Sequence, residues 1–270
     1  MLLSQDVADR VEQADLDYLV VRVGALAGAE GNPDGAEIRV EGAAHAFLVA
    51  SVPNPVFNHV LGMTVRDVSA LPALAGWYAG HGLPLRVDVT PAQADVALFD
   101  GMAALGMRQT GFYGGLFARP VVTEPVAGVV VEEADPAEFA QVYVRGFGFP
   151  ASRWTTMARS VEVLAGRPEC RFYRARTGAA TDGVGLLFLA DGTGYLATAA
   201  TLPDSRGKGV QTALIRHRMA VTAESGADLV VGHTAVGSAS QRTMERCGLT
   251  VAYTKAIWTS GLERSALPPT

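Results

Sequence analysis

The sequence predicts an α/β fold divided into two consecutive domains. Segments with the pattern of buried strands alternate with segments of helical periodicity, and the order of segments in the second half recurs in the first. The length of 270 residues also suits two domains, because a single domain typically holds about 100–200 residues. We therefore expect a first domain at residues 1–119, a linker at 120–125 and a second domain at 126–265.

The second domain has the more complete set of predicted elements. In chain order they are a strand at 126–131, helices at 136–145 and 151–164, strands at 171–176, 184–189 and 194–202, a helix at 210–224, a strand at 229–231, a helix at 238–246 and a strand at 251–258. The helix at 210–224 carries apolar residues on one face, and Gly226 marks its end. This order predicts a sheet covered by helices.

The first domain repeats part of this order. Its predicted elements are a helix at 69–79, Gly82, a strand at 85–89, a helix at 94–105 and Gly106. Gly226 lies 144 residues after Gly82, and Gly248 lies 142 residues after Gly106. These nearly equal offsets predict a tandem duplication. Two prolines interrupt regular structure at 120–125, as expected of a linker.

A glycine-rich turn at 206–209 joins the predicted strand at 194–202 to the helix at 210–224. The first amide groups of a helix have no intrahelical partner, and the helix dipole adds positive charge, so an anion binds there. Gly207 and Gly209 lack a Cβ atom and allow the backbone to approach such an anion closely. The residue order matches neither the Walker A loop nor the dinucleotide-binding fingerprint. The segment therefore predicts a pyrophosphate-binding turn of another kind.

Arg206, Gly209 and, imperfectly, Gln211 match the Arg/Gln-x-x-Gly-x-Gly/Ala signature, and with the surrounding element order the region 121–265 resembles the GNAT acetyltransferase superfamily. The resemblance implies a mixed, mostly antiparallel central sheet flanked by helices in each of two tandem domains. It also implies an acyl-CoA site with acetyl-CoA as co-substrate. The residues that would bind it are Ala199, Ala200, Thr201, Arg206, Gly207, Lys208, Gly209, Val210, Gln211 and Thr212.

The corresponding segment of the first domain, 61–69, has no Gly-x-Gly and no basic pair. The resemblance therefore implies a degenerate first domain that lacks the CoA turn. Such a domain would cover the second one, contribute to the acceptor pocket or stabilise the pair by packing.

The activity implied by the resemblance is transfer of an acetyl group from acetyl-CoA to a primary amine, by direct attack in a ternary complex. The acceptor would be a small-molecule amine or a protein N-terminus. Two alternatives stay open: a CoA-binding module without turnover, and a structural or partner-binding protein that retains the fold. Gln211 and Met244 favour the first alternative, because many GNAT proteins have a small residue at the one position and a proton-donating tyrosine at the other.

Three residues are candidates for acid–base chemistry: Tyr253, His233 and Ser240. Each also has a structural interpretation, as a half-buried strand tyrosine, a strand-end histidine and a helix-start serine. The aromatic segment 147–154 would line the acceptor site according to the resemblance, or would anchor the core.

Composition and spacing exclude several other classes. A net charge of −5 without a basic stripe disfavours nucleic-acid binding. The histidines lack metal-ligand spacing, so no metal is expected, and Cys170 and Cys247 are expected to be structural thiols. No apolar stretch approaches the roughly 20 residues that span a bilayer, and residues 1–10 lack the pattern of a signal peptide. We expect a cytoplasmic protein without membrane contact, and a homodimer if an exposed sheet edge pairs with a second chain.

Overall fold

The structure of the chain is a computed structural model that describes residues 2–52 and 54–261. In chain order its strands are β1 (Ala36–Glu41), β2 (Ala44–Val49), β3 (His59–Leu61), β4 (Arg86–Val89), β5 (Arg108–Ala118), β6 (Val130–Glu133), β7 (Cys170–Arg176), β8 (Gly183–Ala190), β9 (Thr193–Tyr195), β10 (Ala199–Thr201), β11 (Leu229–Ala235) and β12 (Thr250–Thr259). Its α-helices are α1 (Gln5–Ala27), α2 (Leu71–Gly80), α3 (Val96–Ala104), α4 (Pro136–Gly146), α5 (Trp154–Glu162), α6 (Val210–Glu224) and α7 (Ala239–Arg246).

These elements belong to two compact units. The large unit contains residues 2–29 and 114–253, and the small unit contains residues 30–52, 54–113 and 254–261. Strands β5 and β12 therefore each contribute residues to both units.

The two units differ from the predicted domains at 1–119 and 126–265. Residue 1 and residues 262–265 of those ranges lie outside the described residues. The main difference is α1, which the sequence analysis placed in the first domain and which belongs to the large unit.

Helix α1 is held in the large unit by ring packing and by an ion pair. The ring of Tyr18 lies 5.5 Å from that of Tyr195 and 5.7 Å from that of Phe188. Arg10 Nη2 lies 2.6 Å from Asp228 Oδ1. Because these partners are distant in sequence, local periodicity carries no sign of them.

The sheet of the large unit has the strand order β5-β11-β9-β8-β7-β6, with β10 paired to β8. Strands β9 and β11 are parallel, whereas the β6–β7, β7–β8, β8–β9 and β8–β10 pairs are antiparallel. The mixed, mostly antiparallel sheet with flanking helices confirms the predicted fold class.

Helix α6 forms the centre of the core on one face of this sheet. Its residues Leu214, Ile215 and Met219 are at most 1% exposed and join one apolar cluster with Leu187 and Val230 of the sheet. Burying a side chain of this size contributes roughly 1.5–3 kcal/mol relative to leaving it exposed. The packing therefore fixes the position of α6, and with it the position of the turn that precedes the helix.

The small unit has the strand order β1-β2-β3-β4-β12, with β3 and β4 parallel. Helices α2 and α3 supply Trp77, Tyr78 and Leu98 to its core, which includes Val60 and Val87 of the strands. Within residues 2–52 and 54–261, no helix is long and apolar enough to cross a membrane.

Helix α4 begins with a side-chain N-cap, and its removal should destabilise the large unit. The carboxylate of Asp135 accepts hydrogen bonds from the amides of Ala137 at 2.9 Å and Glu138 at 3.1 Å. We expect Asp135→Ala to lower the free energy of unfolding by about 1 kcal/mol, the usual value of a lost N-cap. Asp135→Ser, which retains a capping oxygen, should be close to wild type. Urea denaturation of the three proteins checks this, and equal midpoints for Ala and Ser would contradict it.

Candidate functional site

A β-bulge interrupts the strand that precedes the glycine turn. The register places Tyr195 of β9 opposite Phe188 of β8, and Ala199 of β10 opposite Gly185 of β8. Residues 196–198 therefore lie opposite only two residues of β8, 186 and 187. The one extra residue defines a β-bulge. The prediction of one continuous strand at 194–202 is wrong in this respect.

Strands β10 and β11 separate beyond the bulge. Before it, Tyr195 lies opposite Val231 in a parallel pair, and the amide of Leu196 donates to the carbonyl of Val231 at 2.7 Å. After it, β10 pairs only with β8 among the described residues. A cleft therefore opens between β10 and the C-terminal part of β11.

The backbone of β10 presents hydrogen-bonding groups to this cleft. The amide of Leu186 donates to the carbonyl of Thr198 at 2.8 Å, and the amide of Leu202 donates to the carbonyl of Asp182 at 2.9 Å. Because the bonding direction alternates along an antiparallel strand, the backbone groups of Ala199 and Thr201 point away from β8. An extended chain with amide groups would find partners there, as in strand addition.

The glycine turn lies at the end of β10 and leads into α6. Gly207 has φ +77° and Gly209 has φ +82°, in the left-handed region where a side chain is strained. Gly209 is also the N-cap of α6 and has no side chain to occupy the first amides of the helix. No side chain therefore caps the first turn of α6, and binding of an anion at these amides stays a prediction.

Two side chains anchor the turn to neighbouring elements. The carboxylate of Asp182 accepts hydrogen bonds from the Ser205 hydroxyl and from Thr177, whose amide and hydroxyl lie at 2.6 and 2.7 Å. These hydrogen bonds hold the pKa of Asp182 below its usual range despite partial desolvation, and the bond from Ser205 has the largest effect. Arg206 Nη2 donates to the carbonyl of Gly146 at 3.1 Å and so links the turn to the end of α4.

The cleft, the turn and the start of α7 form an open pocket with a volume of about 620 Å³, which lies in the usual range for ligand sites. Nine of the ten predicted cofactor-binding residues line this pocket, namely Ala199, Ala200, Thr201, Arg206, Gly207, Gly209, Val210, Gln211 and Thr212. Lys208 is exposed beside the turn and is not part of the lining. Seven lining residues were not predicted as cofactor-binding: Gly146, Phe147, Ser205, Ala239, Ser240, Thr243 and Arg246.

Two of the three acid–base candidates lie side by side. The ring centroids of His233 and Tyr253 are 6.5 Å apart, and a Cβ atom at Gly115 would lie 3.1 Å from both His233 Nε2 and the Tyr253 ring. The Tyr253 hydroxyl donates to Glu12 Oε2 at 3.1 Å. Ser240 instead lies on α7 and lines the pocket. Sequence reasoning missed Glu12 because α1 was assigned to the other domain.

The bulge is also contacted from the side of α1. The hydroxyls of Tyr18 and Thr198 lie 3.1 Å apart, and Arg22 Nη1 lies 3.4 Å from the Thr198 hydroxyl. Arg22 is only 3% exposed and also donates to the carbonyl and the hydroxyl of Ser160 at 2.7 and 2.8 Å. Helix α1 thus fixes a residue of the bulge in the large unit.

The described residues give less support to chemistry by a cysteine thiol, by the residue at position 244 or by a metal ion. Burial raises the pKa of the Cys170 thiol to about 12 and raises that of Cys247, so both thiols stay protonated at neutral pH. Met244 is 4% exposed, and its sulfur packs 3.0 Å from where a Cβ of Gly232 would lie. The described residues contain no group of three or more His, Cys, Asp or Glu side chains arranged to hold a metal ion.

Comparison with solved structures finds this fold in several acetyltransferases. A GCN5-related N-acetyltransferase from Kribbella flavida is 16% identical, with a TM-score of 0.65 over 90% of this chain and 96% of that one. A tandem GNAT protein from the clavulanic acid biosynthesis pathway is 17% identical, with a TM-score of 0.61 over 90% of this chain and 94% of that one. A GCN5-related N-acetyltransferase from Sphaerobacter thermophilus is 15% identical, with a TM-score of 0.57 over 81% of this chain and 76% of that one.

No protein-family model and no curated protein matches the sequence. At these identities the solved structures establish the fold alone. The chain has the GNAT fold, which confirms the predicted resemblance at that level.

The lowered pKa of Asp182 predicts how the anchor of the turn depends on pH. A depressed folded-state pKa stabilises the native state above the ordinary aspartate pKa of about 3.9, and this contribution is lost as the pH falls through the folded value. We expect wild type to be more stable than Asp182→Asn at pH 7, and the difference to shrink as the pH is lowered below about 4. Urea denaturation across this range measures it.

Asp204→Asn is the matched control, because Asp204 is an exposed aspartate of the same turn. It should show little difference from wild type at pH 7. A pH-independent difference between wild type and Asp182→Asn would contradict the assignment.

Proposed function

We propose that the large unit binds acetyl-CoA in the pocket described above and transfers the acetyl group to a primary amine, on a small molecule or at a protein N-terminus. The observation that carries this proposal is the continuity of three features. A bulged strand opens a cleft, the cleft leads to a turn with two left-handed glycines, and the turn ends at the bare N-terminus of α6. Together they suit a ligand with an extended amide-bearing arm and a diphosphate.

The residues present fit this ligand. The amides at the start of α6 and the glycines of the turn would hold the diphosphate, with the exposed Arg206 beside it. The backbone groups of Ala199 and Thr201 would bond the amides of the arm. When bound, acetyl-CoA would supply an activated acyl group: the amine nitrogen would attack the acetyl carbonyl carbon directly, the bond from that carbon to the CoA sulfur would break, and CoA would leave as a thiolate that takes up a proton.

The chain's own part in the reaction is to handle a proton. A primary amine is protonated at neutral pH and must lose a proton before its lone pair attacks. His233 is proposed to take up that proton. The Tyr253 hydroxyl, which the Glu12 carboxylate holds in place through a 3.1 Å hydrogen bond, is proposed to donate a proton to the departing thiolate. Met244 does not donate a proton, so the pair on β11 and β12 is the better candidate.

We also propose that the small unit is a degenerate copy without a CoA site. Its segment Val65–Ala70 is a 3-10 helix whose start is occupied by the chain itself. The carboxylate of Asp67 accepts from the amide and hydroxyl of Thr64 at 3.0 and 2.8 Å and from the amide of Ala43 at 3.3 Å. The Asp67 carboxylate thus occupies the start of this 3-10 helix in the small unit, whereas no side chain caps the start of α6 in the large unit.

One observation favours a second candidate function, a CoA-binding module without turnover. The position at which many GNAT proteins have a proton-donating tyrosine is held by the buried Met244. Binding and turnover are therefore tested separately.

The binding site is tested by Gly209→Ala. A methyl group at Gly209 would be strained at φ +82° and would lie 3.0 Å from a methyl of Val126, so the turn or the Val126 side chain must give way. We expect the affinity for acetyl-CoA, measured by titration calorimetry, to fall about tenfold, which corresponds to ~1.4 kcal/mol.

Gly226→Ala is the matched control, because Gly226 has φ +79° at the other end of α6 and no atom within 4 Å of its added Cβ. It should lose similar stability without losing affinity. One site per wild-type chain is expected. Undetectable binding to wild type would favour a structural role, and equal affinity of wild type and Gly209→Ala would overturn the site.

Turnover is tested by His233→Asn and Tyr253→Phe. We expect kcat with a panel of primary amines to fall about 100-fold for either variant, as for loss of an acid–base group, while the acetyl-CoA dissociation constant stays unchanged. Tyr173→Phe, on β7 and 3% exposed, serves as the matched tyrosine control. Wild-type rates in both variants would exclude the pair, and binding without turnover in wild type would select the second candidate.

A further inference from the structure

Arg218 is the largest fully buried side chain among the described residues, with 0% exposure. It belongs to α6, and its guanidinium lies against β8 where Gly185 leaves room: a Cβ atom at Gly185 would be 2.9 Å from Arg218 Cζ. The surroundings are apolar, since Leu214 and Leu187 belong to the core cluster at this place. A charged group is therefore held in the apolar interior of the large unit.

Hydrogen bonding of this guanidinium is incomplete. Nε donates to the carbonyl of Leu214 at 3.0 Å and Nη1 donates to the carbonyl of Leu186 at 2.9 Å, whereas Nη2 has no hydrogen-bond partner among the described residues. Desolvation lowers the pKa of Arg218 to about 10. Burying a charge in this way opposes folding, and apolar replacements of buried charges are often neutral or stabilising. Stability alone therefore does not explain an arginine here.

The bond to Leu186 lies at the bulge. The amide of Leu186 donates to the carbonyl of Thr198, and in a regular antiparallel pair the carbonyl of Leu186 would accept the Thr198 amide in return. Arg218 Nη1 occupies that carbonyl instead. The arginine thus supplies the hydrogen bond that the strand gives up when it bulges.

We propose that Arg218 is a positioning residue for the acetyl-CoA cleft: by bonding the carbonyl of Leu186 it maintains the bulge and keeps β10 apart from β11. Its effect on the ligand is indirect, through the placement of Ala199 and Thr201. The proposal rests on the proposed function for the identity of the ligand, but its structural part concerns the free protein.

The test combines three measurements on Arg218→Met, which keeps an unbranched apolar side chain and removes the guanidinium donors. Amide hydrogen exchange of residues 196–201 in the free protein should become about tenfold faster, the equivalent of losing one hydrogen bond to a charged group. Acetyl-CoA affinity from titration calorimetry should fall by a similar factor. The Tm should equal or exceed that of wild type, because a buried charge is removed.

Ile215→Val is the matched control, since Ile215 is a fully buried residue of the same helix and its truncation destabilises without touching Leu186. It should lower the Tm and leave exchange at 196–201 and affinity unchanged. Arg218→Lys, which keeps one donor group, should restore part of the protection at 196–201. Arg218→Leu, which has no donor, replaces Arg218→Met in all three measurements if the latter does not fold.

Faster exchange confined to 196–201 with an undiminished Tm supports the positioning role. Unchanged exchange in that segment overturns it, as does a lowered Tm with faster exchange throughout the large unit. Failure of wild type to bind acetyl-CoA would refute the proposed function while the exchange measurement still decides the role of Arg218 at the bulge.

Discussion

The bulge between β9 and β10 is the constraint on which the rest of the large unit depends. One extra residue breaks the hydrogen-bond ladder to β8, and the broken positions must find other partners because unpaired polar groups inside a protein are costly. Side chains contact the bulge from both faces of the sheet. Arg218 bonds the carbonyl of Leu186 from the side of α6, while Tyr18 and Arg22 of α1 contact the Thr198 hydroxyl from the other side. The cleft is therefore built into the fold before any ligand arrives.

The glycine turn and α6 were predictable from the sequence because their signals are local. Glycines at 207 and 209 stand beside an amphipathic helix, and both adopt the left-handed backbone that only glycine takes easily. The helices near 71–80 and 96–104 and the last strand also follow local patterns, so their predicted bounds differ from the structure by a few residues.

The bulge and the role of α1 were not predictable because their causes are not local. No residue in the stretch 194–202 indicates a one-residue change of register, since every position suits a buried strand. Helix α1 reaches its partners across 180 residues of sequence, as in the contact between Tyr18 and Thr198. Its buried face also includes Asp15 and Arg22, which weakens the apolar pattern that would mark a core helix.

Three glycines explain why the turn and the cleft lie together. Added Cβ atoms at Gly183, Gly185 and Gly194 would collide with Val210, Arg218 and Thr222 respectively, so these glycines in β8 and β9 admit the whole length of α6 against the sheet. Glycine weakens a strand, but at these three positions it allows α6 to pack closely against the sheet. The same close packing sets the first residue of α6 beside β10. The proposed anion site at the helix start and the backbone groups of the cleft are thus positioned by one contact, and a change that lifted α6 from the sheet would displace both.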